Sequence, residues 1–158
     1  MIPVKKSMNE CIGLIRSQPE FIKNIAHWKT IPAKEAKISP FPENIEPVLS
    51  QSLSRRGITE LYSHQKEAFT AITEEKRNVV VVTPTASGKT LCYNLPVLQE
   101  IIQHPNSRAL YLFPTKALAQ DQKSELSEWV EVAELDVNTY TYDGDTPSNI
   151  RQKIRKAG

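Results

Sequence analysis

The sequence predicts an α/β fold in which helices flank a parallel sheet. Three strand-like runs rich in β-branched and aromatic residues follow one another at regular intervals, at 78–82, 108–113 and 137–142. Segments with helical periodicity separate these runs, and such alternation favours right-handed crossovers within a parallel sheet. With 39% hydrophobic and 24% charged residues, the 158-residue chain has the composition of one globular domain, which would bury roughly 70% of its unfolded surface.

Residues 1–57 are predicted to form a short helical extension rather than part of the sheet. Hydrophobic spacing favours helices over 7–17, 20–28 and 46–56. The connector before the third of these helices is extended, because it is punctuated by Pro32, Pro40, Pro42 and Pro47. Gly57 is a suitable residue to end the third helix. We therefore expect an extension over 1–57 and the α/β segment over 58–158.

Three further helices are expected within the α/β segment. Ser63 is a suitable N-cap for a helix that runs to about Glu75. The next helix follows the first strand, and its apolar stripe consists of Leu91, Leu95, Leu98 and Ile102. Pro96 lies inside this helix, where a lost backbone hydrogen bond costs about 3 kcal/mol and predicts a kink. The third helix carries a stripe of Leu118, Gln122, Leu126, Trp129 and Val130.

A phosphate-binding loop is predicted directly after the first strand. The octapeptide there reads Thr83-Pro84-Thr85-Ala86-Ser87-Gly88-Lys89-Thr90. A buried strand that turns through Gly-Lys-Thr into a helix exposes backbone N–H groups and the positive end of the helix dipole to a phosphate. Lys89 would then reach the β- and γ-phosphates, and the Thr90 hydroxyl would bind Mg²⁺. Thr83 replaces the first glycine of the strict pattern, and an isolated Gly-Lys-Thr is more often a simple turn, but the strand–loop–helix context favours the phosphate site.

Charge, cysteine content and hydropathy argue against a strongly basic, a metal-binding, a secreted or a membrane protein. The formal net charge of +2 is too small to indicate nucleic-acid binding, which must rest on local sites. Cys11 and Cys92 have no neighbours at metal-ligand spacing, which favours reduced thiols of a cytoplasmic protein. The N-terminus lacks the apolar core of a signal peptide, and no run approaches the length of a membrane span, so no membrane partner is expected.

Two segments that flank the P-loop (residues 83–90) indicate which class of P-loop protein the chain resembles. Leu61-Tyr62-Ser63-His64-Gln65 lies upstream, and Phe113-Pro114-Thr115-Lys116-Ala117-Leu118-Ala119-Gln120 follows the second strand. With these segments the chain resembles the N-terminal RecA-like half of superfamily 2 DEAD/DEAH-box-like helicases. In that group the first glycine of the P-loop is commonly replaced. The resemblance implies an incomplete N-terminal RecA-like P-loop domain that binds ATP and Mg²⁺.

The resemblance also implies roles for particular residues. Gln65 would contact adenine through its amide, which can both donate and accept hydrogen bonds, and Tyr62 would lie near the base. Phosphate binding would fall to the P-loop, which comprises Thr83, Pro84, Thr85, Ala86, Ser87, Gly88, Lys89 and Thr90. Lys89 and Thr90 would be the catalytic members, with Thr90 as the Mg²⁺ ligand. A nucleic-acid strand, single-stranded DNA rather than RNA, would be held by Pro114, Thr115, Lys116 and Gly144.

A narrower resemblance is to the bacterial MrfA/YprA-type DNA repair helicases, relatives of RecQ4-like enzymes. It rests on the P-loop with the residues after it, on Ala109-Leu110-Tyr111-Leu112-Phe113 with the segment that follows, and on Thr141-Tyr142-Asp143-Gly144-Asp145-Thr146. It runs from about Trp28 onward and suggests 3′-to-5′ movement.

Simpler interpretations of the same residues remain open. Gln65 could be a surface helix residue, and Thr115 with Lys116 could merely cap a helix. Asp143-Gly144-Asp145 could be a plain turn. The basic residues at the end of the chain are expected on a solvated helix face, with direct contact with nucleic acid as the alternative; they are Arg151, Lys153, Arg155 and Lys156. His27, His64 and His104 show no catalytic or ligand arrangement.

The resemblance stops before the end of a helicase core. The sequence has no Asp-Glu-x-His or Asp-Glu-Ala-Asp string to hold Mg²⁺ and activate water, no Ser-Ala-Thr motif and no second RecA-like domain. We therefore expect a truncated segment with an exposed sheet edge and hydrolysis near background. One alternative is a catalytically inactive fragment that binds nucleotide or nucleic acid. A less favoured alternative is another P-loop NTPase or a kinase, against which the segment after the second strand argues.

Overall fold

The computed structural model describes residues 7–32 and 35–157, which fall into two compact units, Met1–Glu35 and Ala36–Gly158. The sequence-based boundary at residue 57 stays a prediction. The smaller unit contains α1, Met8–Ser17, and α2, Pro19–Ile22. The larger unit contains two strands and five helices among the described residues: β1 Ile38–Ser39, α3 Pro47–Arg55, β2 Leu61–Tyr62, α4 Ser63–Thr73, α5 Lys89–Gln103, α6 Lys116–Val132 and α7 Ser148–Ala157.

In the smaller unit, a capping box starts α1. The Glu10 N–H donates to the Ser7 hydroxyl over 3.3 Å, and the Ser7 N–H donates to the Glu10 carboxylate over 2.7 Å. This hydrogen bond from the Ser7 backbone lowers the pKa of Glu10. The helix predicted over 20–28 is only the four-residue α2. Its apolar side chains, Phe21 and Ile22, are about half exposed, so no buried face sustains a longer helix.

The core of the larger unit lies between α3, α4, α5 and α6. It is formed by Leu49, Leu53, Leu61, Phe69, Leu95, Leu98, Trp129, Val130 and Ala133. The Trp129 indole N–H donates to the buried Ser52 hydroxyl over 2.8 Å, which joins α6 to α3. The stripe predicted on α5 is confirmed, because Leu95 and Leu98 are buried and Leu91 and Ile102 pack against them. The helix continues through the buried Pro96, and its kink stays a prediction.

The start of α4 differs by one residue from the prediction. Tyr62, not Ser63, is the N-cap residue. The Ser63 N–H donates to the Lys37 carbonyl over 2.8 Å, beside the antiparallel pairing of β1 with β2 in the register Ile38↔Tyr62. Because β2 ends directly at the helix, Ser63 begins the first turn instead of capping it.

The predicted parallel sheet is not confirmed. Within the described residues the only sheet is the two-stranded β1–β2 pair, and no backbone hydrogen bond joins 78–82, 108–113 and 137–142 to one another. Burial still alternates along the first and third runs: in the first, Val79 and Val81 are half-buried, whereas Val80 and Val82 are each 89% exposed. Alternating burial indicates an extended segment with one packed face. A sheet also requires a neighbouring strand about 4.8 Å away, and the periodicity of one segment does not reveal whether such a strand is present.

Candidate functional site

The P-loop joins the first extended run to α5. Ala86 has a φ of 59° and Gly88 a φ of 72°, so two residues of the loop adopt the left-handed conformation. Left-handed residues alternating with ordinary ones turn successive N–H groups toward one side and make an anion-binding concavity. The loop ends at Lys89, the first residue of the 15-residue α5, where the helix dipole adds positive potential.

Lys89 closes this loop. Its ammonium donates to the Thr83 carbonyl over 2.9 Å and to the Pro84 carbonyl over 2.7 Å. The Thr83 and Ser87 hydroxyls lie 2.6 Å apart, which braces the loop between its ends. Thr90, the predicted Mg²⁺ ligand, is half-buried in the first turn of α5. The Lys89 ammonium is thus bound to carbonyls of the same loop for which the sequence predicts a phosphate site.

The start of α4 packs directly against the P-loop. The Gln65 side chain is buried, with its amide oxygen accepting from the Tyr62 N–H over 2.9 Å and its amide nitrogen donating to the Gly88 carbonyl over 2.9 Å. These two bonds use one N–H and one lone pair of the amide and leave one of each. The structure therefore brings Tyr62 and Gln65 to the P-loop through an anchoring contact that the sequence did not suggest.

His64 also contacts the P-loop, a role that the sequence analysis missed. Its Nε2 lies 2.9 Å from the Ser87 carbonyl, and its ring stacks on Tyr62 with centroids 5.6 Å apart. The donor must be the histidine, because a carbonyl can only accept. The position of His64 next to Gln65 was the one signal in the sequence that could have indicated this contact.

Gly88 is required where α4 meets the loop. A Cβ added at Gly88 would lie 2.5 Å from the Gln65 amide nitrogen. Its positive φ adds a second reason, since glycine adopts this conformation without a steric penalty.

A second cluster combines the segment after the second extended run with the loop Asp143–Thr146, the 143–146 loop. The Lys116 ammonium pairs with the Asp145 carboxylate, and this hydrogen bond raises the pKa of Lys116. The predicted nucleic-acid residues are all exposed, namely Pro114, Thr115, Lys116 and Gly144. The structure thus brings Lys116 and the loop that contains Gly144 together.

Thr115 does act as a helix cap. Its hydroxyl accepts from the Leu118 N–H over 3.2 Å at the start of α6. The simpler interpretation of Thr115 is therefore correct for its hydroxyl. Lys116, one residue later, points to the 143–146 loop instead.

The 143–146 loop is an ordered turn. The Asp145 N–H donates to the Asp143 carboxylate over 2.9 Å, and this bond is the main cause of a lowered pKa for Asp143. The Thr146 hydroxyl lies 2.9 Å from the Asp143 N–H, which donates to it. Arg151 is not on a purely solvated face, because its guanidinium binds carbonyls of this loop.

Neither cysteine nor histidine forms a metal centre in the part of the chain that the structure describes. Cys11 and Cys92 are free thiols, and burial raises the pKa of Cys92. Over residues 7–32 and 35–157, no helix combines the length and the hydropathy needed to cross a bilayer.

The loop before α5, its lysine and the adjoining glutamine have the arrangement of a helicase segment. The family model of the DEAD/DEAH box helicases matches residues 62–158, and the chain belongs to this family. It is 54% identical over 154 residues to the ATP-dependent helicase YprA of Bacillus subtilis, covering 98% of this chain and 20% of that protein. It is 36% identical to the ATP-dependent helicase HRQ1 of Saccharomyces cerevisiae, covering 93% of this chain and 14% of that protein.

Solved structures give the same assignment. The chain superimposes on the crystal structure of the DUF1998 helicase MrfA bound to DNA and AMPPNP with a TM-score of 0.80 and 54% identity. That match covers 97% of this chain and 21% of MrfA. The MrfA crystal structure bound to DNA alone gives a TM-score of 0.79. The chain thus spans about a fifth of the length of YprA and of MrfA, and 14% of the length of HRQ1.

Proposed function

We propose that this chain is the ATP-binding segment of an ATP-dependent DNA helicase of the MrfA/YprA type. The observation that supports the proposal is the contact between Gln65 and the P-loop: the Gln65 amide donates to the Gly88 carbonyl, and Lys89, the next residue, donates to the Thr83 carbonyl. In this proposal the P-loop N–H groups and Lys89 bind the phosphates, and Thr90 binds Mg²⁺. Gln65 and Tyr62 lie on the adenine side. The AMPPNP in the MrfA structure supports this arrangement for a chain 54% identical.

A nucleic-acid strand binds to the second cluster in this proposal. In this proposal Lys116 leaves its exposed ion pair with Asp145 to contact a phosphate, while Thr115 and Gly144 supply exposed groups just after the second and third extended runs. The DNA in the two MrfA structures favours DNA over RNA. In the whole enzyme, closure on ATP and reopening after hydrolysis would move the strand, in the 3′-to-5′ direction, and the repair of DNA would be its setting.

Nucleotide binding is tested by titrating ATP into the purified chain with Mg²⁺ and again with a chelator. Lys89→Ala should weaken ATP binding at least tenfold, since a charge-assisted hydrogen bond contributes about 1.5–3 kcal/mol. Lys37→Ala is the matched control, because Lys37 is an exposed lysine of the same unit. Equal ATP affinity in the Lys89 and Lys37 variants would refute the phosphate site. Turnover that Lys89→Ala abolishes would refute the alternative of a binding module without catalysis.

Strand binding is tested separately with labelled oligothymidylate across a salt series. If about three phosphates are contacted, the logarithm of the association constant should fall with the logarithm of salt with a slope near −2. Lys116→Ala should make this slope shallower by about 0.7. An affinity that does not depend on salt would refute backbone binding at this cluster.

A further inference from the structure

Arg151, on α7, forms hydrogen bonds with the backbone of the 143–146 loop. Its Nε donates to the Thr146 carbonyl over 2.7 Å, and its Nη2 donates to the Asp143 carbonyl over 2.7 Å and to the Gly144 carbonyl over 3.1 Å. The guanidinium carbon also lies 5.2 Å from the centre of the Tyr142 ring. One half-buried side chain therefore binds three backbone carbonyls of a four-residue loop.

These contacts need the shape of arginine and not only its charge. A guanidinium is a rigid planar fork with five N–H donors, whereas a lysine ammonium is a point charge on a flexible stem. Hydrogen bonds from a charged donor are roughly twice as strong as neutral ones. An ammonium at this position would keep the charge and lose the simultaneous contact with Thr146, Asp143 and Gly144.

The contacts also change what the loop presents to a strand. Carbonyl oxygens carry partial negative charge and repel phosphate. The three carbonyls that accept hydrogen bonds from Arg151 therefore cannot face the nucleic-acid strand. On the same loop, the Asp145 side chain pairs with Lys116. The loop is thereby held by α7 through its backbone and by the start of α6 through one side chain.

We propose that Arg151 is a positioning residue for nucleic-acid binding, which holds the 143–146 loop in the conformation that brings Asp145, the neighbour of Gly144, to Lys116 and does not itself contact phosphate. This inference rests on the strand-binding function proposed above. It assigns to Arg151 a role different from that of the other basic residues of α7, which are exposed.

The test separates shape from charge with two substitutions on α7. Arg151→Lys keeps the charge and removes the fork, whereas Lys156→Gln removes an exposed charge and keeps the fork. Binding of labelled oligothymidylate is measured across a salt series for both variants. We expect Arg151→Lys to weaken binding about five- to tenfold, the equivalent of one or two net hydrogen bonds, with an unchanged salt slope. Lys156→Gln should stay within about twofold of the unsubstituted chain.

Amide hydrogen exchange provides a second measurement that does not depend on the ligand. Exchange should become faster in Arg151→Lys at the 143–146 loop and stay unchanged in α5, and Lys156→Gln should behave like the unsubstituted chain. Faster exchange across the whole larger unit would mean that Arg151 supports the fold, which overturns the inference. Unchanged oligonucleotide binding in Arg151→Lys would show that charge suffices and would also overturn the inference. The same conclusion would follow if the salt slope were shallower by about 0.7 in Arg151→Gln and returned to its original value in Arg151→Lys.

The failure of the underlying function has a different signature. An unsubstituted chain that does not bind the oligonucleotide refutes the proposed strand site itself, and the inference with it. A chain whose binding is weakened by Lys116→Ala but not by Arg151→Lys retains the strand site and refutes only the positioning role.

Discussion

Replacing Gln65 by alanine distinguishes two roles for this side chain. In the structure its amide bridges the Tyr62 N–H and the Gly88 carbonyl, each over 2.9 Å, at a position only 3% exposed. The resemblance to helicases implies instead that the amide contacts adenine. An anchoring role predicts an effect on the loop in the absence of nucleotide, whereas base contact predicts an effect on nucleotide selectivity.

The size of the anchoring effect follows from the two hydrogen bonds. Each contributes about 0.5–1.5 kcal/mol net, so Gln65→Ala should lower the free energy of unfolding by about 1–3 kcal/mol. At about 4 °C for each kcal/mol in a domain of this size, the melting temperature should fall by roughly 4–12 °C. Because the loop loses its support, affinity for ATP and for GTP should fall by similar factors.

The assay is thermal unfolding by circular dichroism without nucleotide, followed by competition of ATP and GTP against a fluorescent nucleotide. Gln51→Ala is the matched control, since Gln51 is exposed on α3. A Gln65→Ala chain that melts like the Gln51 variant, yet loses its preference for ATP over GTP, would refute anchoring and leave adenine contact as the role. Loss of both stability and selectivity would show that one amide does both.

Three other substitutions test the structure at separate places. Gly88→Ala should lower ATP affinity about tenfold or more, because the added Cβ would lie 2.5 Å from the Gln65 amide nitrogen. The positive φ of this position would cost an alanine about 1 kcal/mol more. Ser52→Ala should lower the free energy of unfolding in urea by about 1–3 kcal/mol, since it leaves the buried Trp129 N–H without its acceptor. Asp145→Asn should tighten oligothymidylate binding about two- to fivefold at low salt, because it releases Lys116 from an exposed ion pair.

Each of these substitutions has a control of the same chemical type. Gly144→Ala introduces a Cβ with nothing within 4 Å and should leave ATP affinity unchanged. Ser54→Ala removes an exposed hydroxyl from the same helix as Ser52. Asp136→Asn removes an exposed carboxylate at the far end of the third extended run. Any variant that behaves like its control contradicts the contact on which its prediction rests.

Helix positions could be predicted because their causes are local. The spacing of Leu95 and Leu98 fixed the buried face of α5, and Gly57, with a φ of 80°, follows the end of α3 as expected. The candidate P-loop could be located in the same way, since its Gly-Lys-Thr sequence is contiguous. The start of α4 was misplaced by one residue because its cause is distant: the Ser63 N–H is taken by the Lys37 carbonyl.

Contacts between segments distant in the chain explain what the sequence did not reveal. No local pattern distinguishes Arg151, whose guanidinium binds three carbonyls, from Lys156, which is exposed on the same helix. In the same way, no local pattern predicts that the side chains of His64 and Gln65 form hydrogen bonds with carbonyls of the P-loop. Motifs thus predicted the groups that are proposed to carry the chemistry, whereas the residues that contact and hold those segments became visible only in the folded chain. The substitutions at Gln65 and Arg151 test this second class of residue, because each removes a support and leaves the proposed phosphate ligands intact.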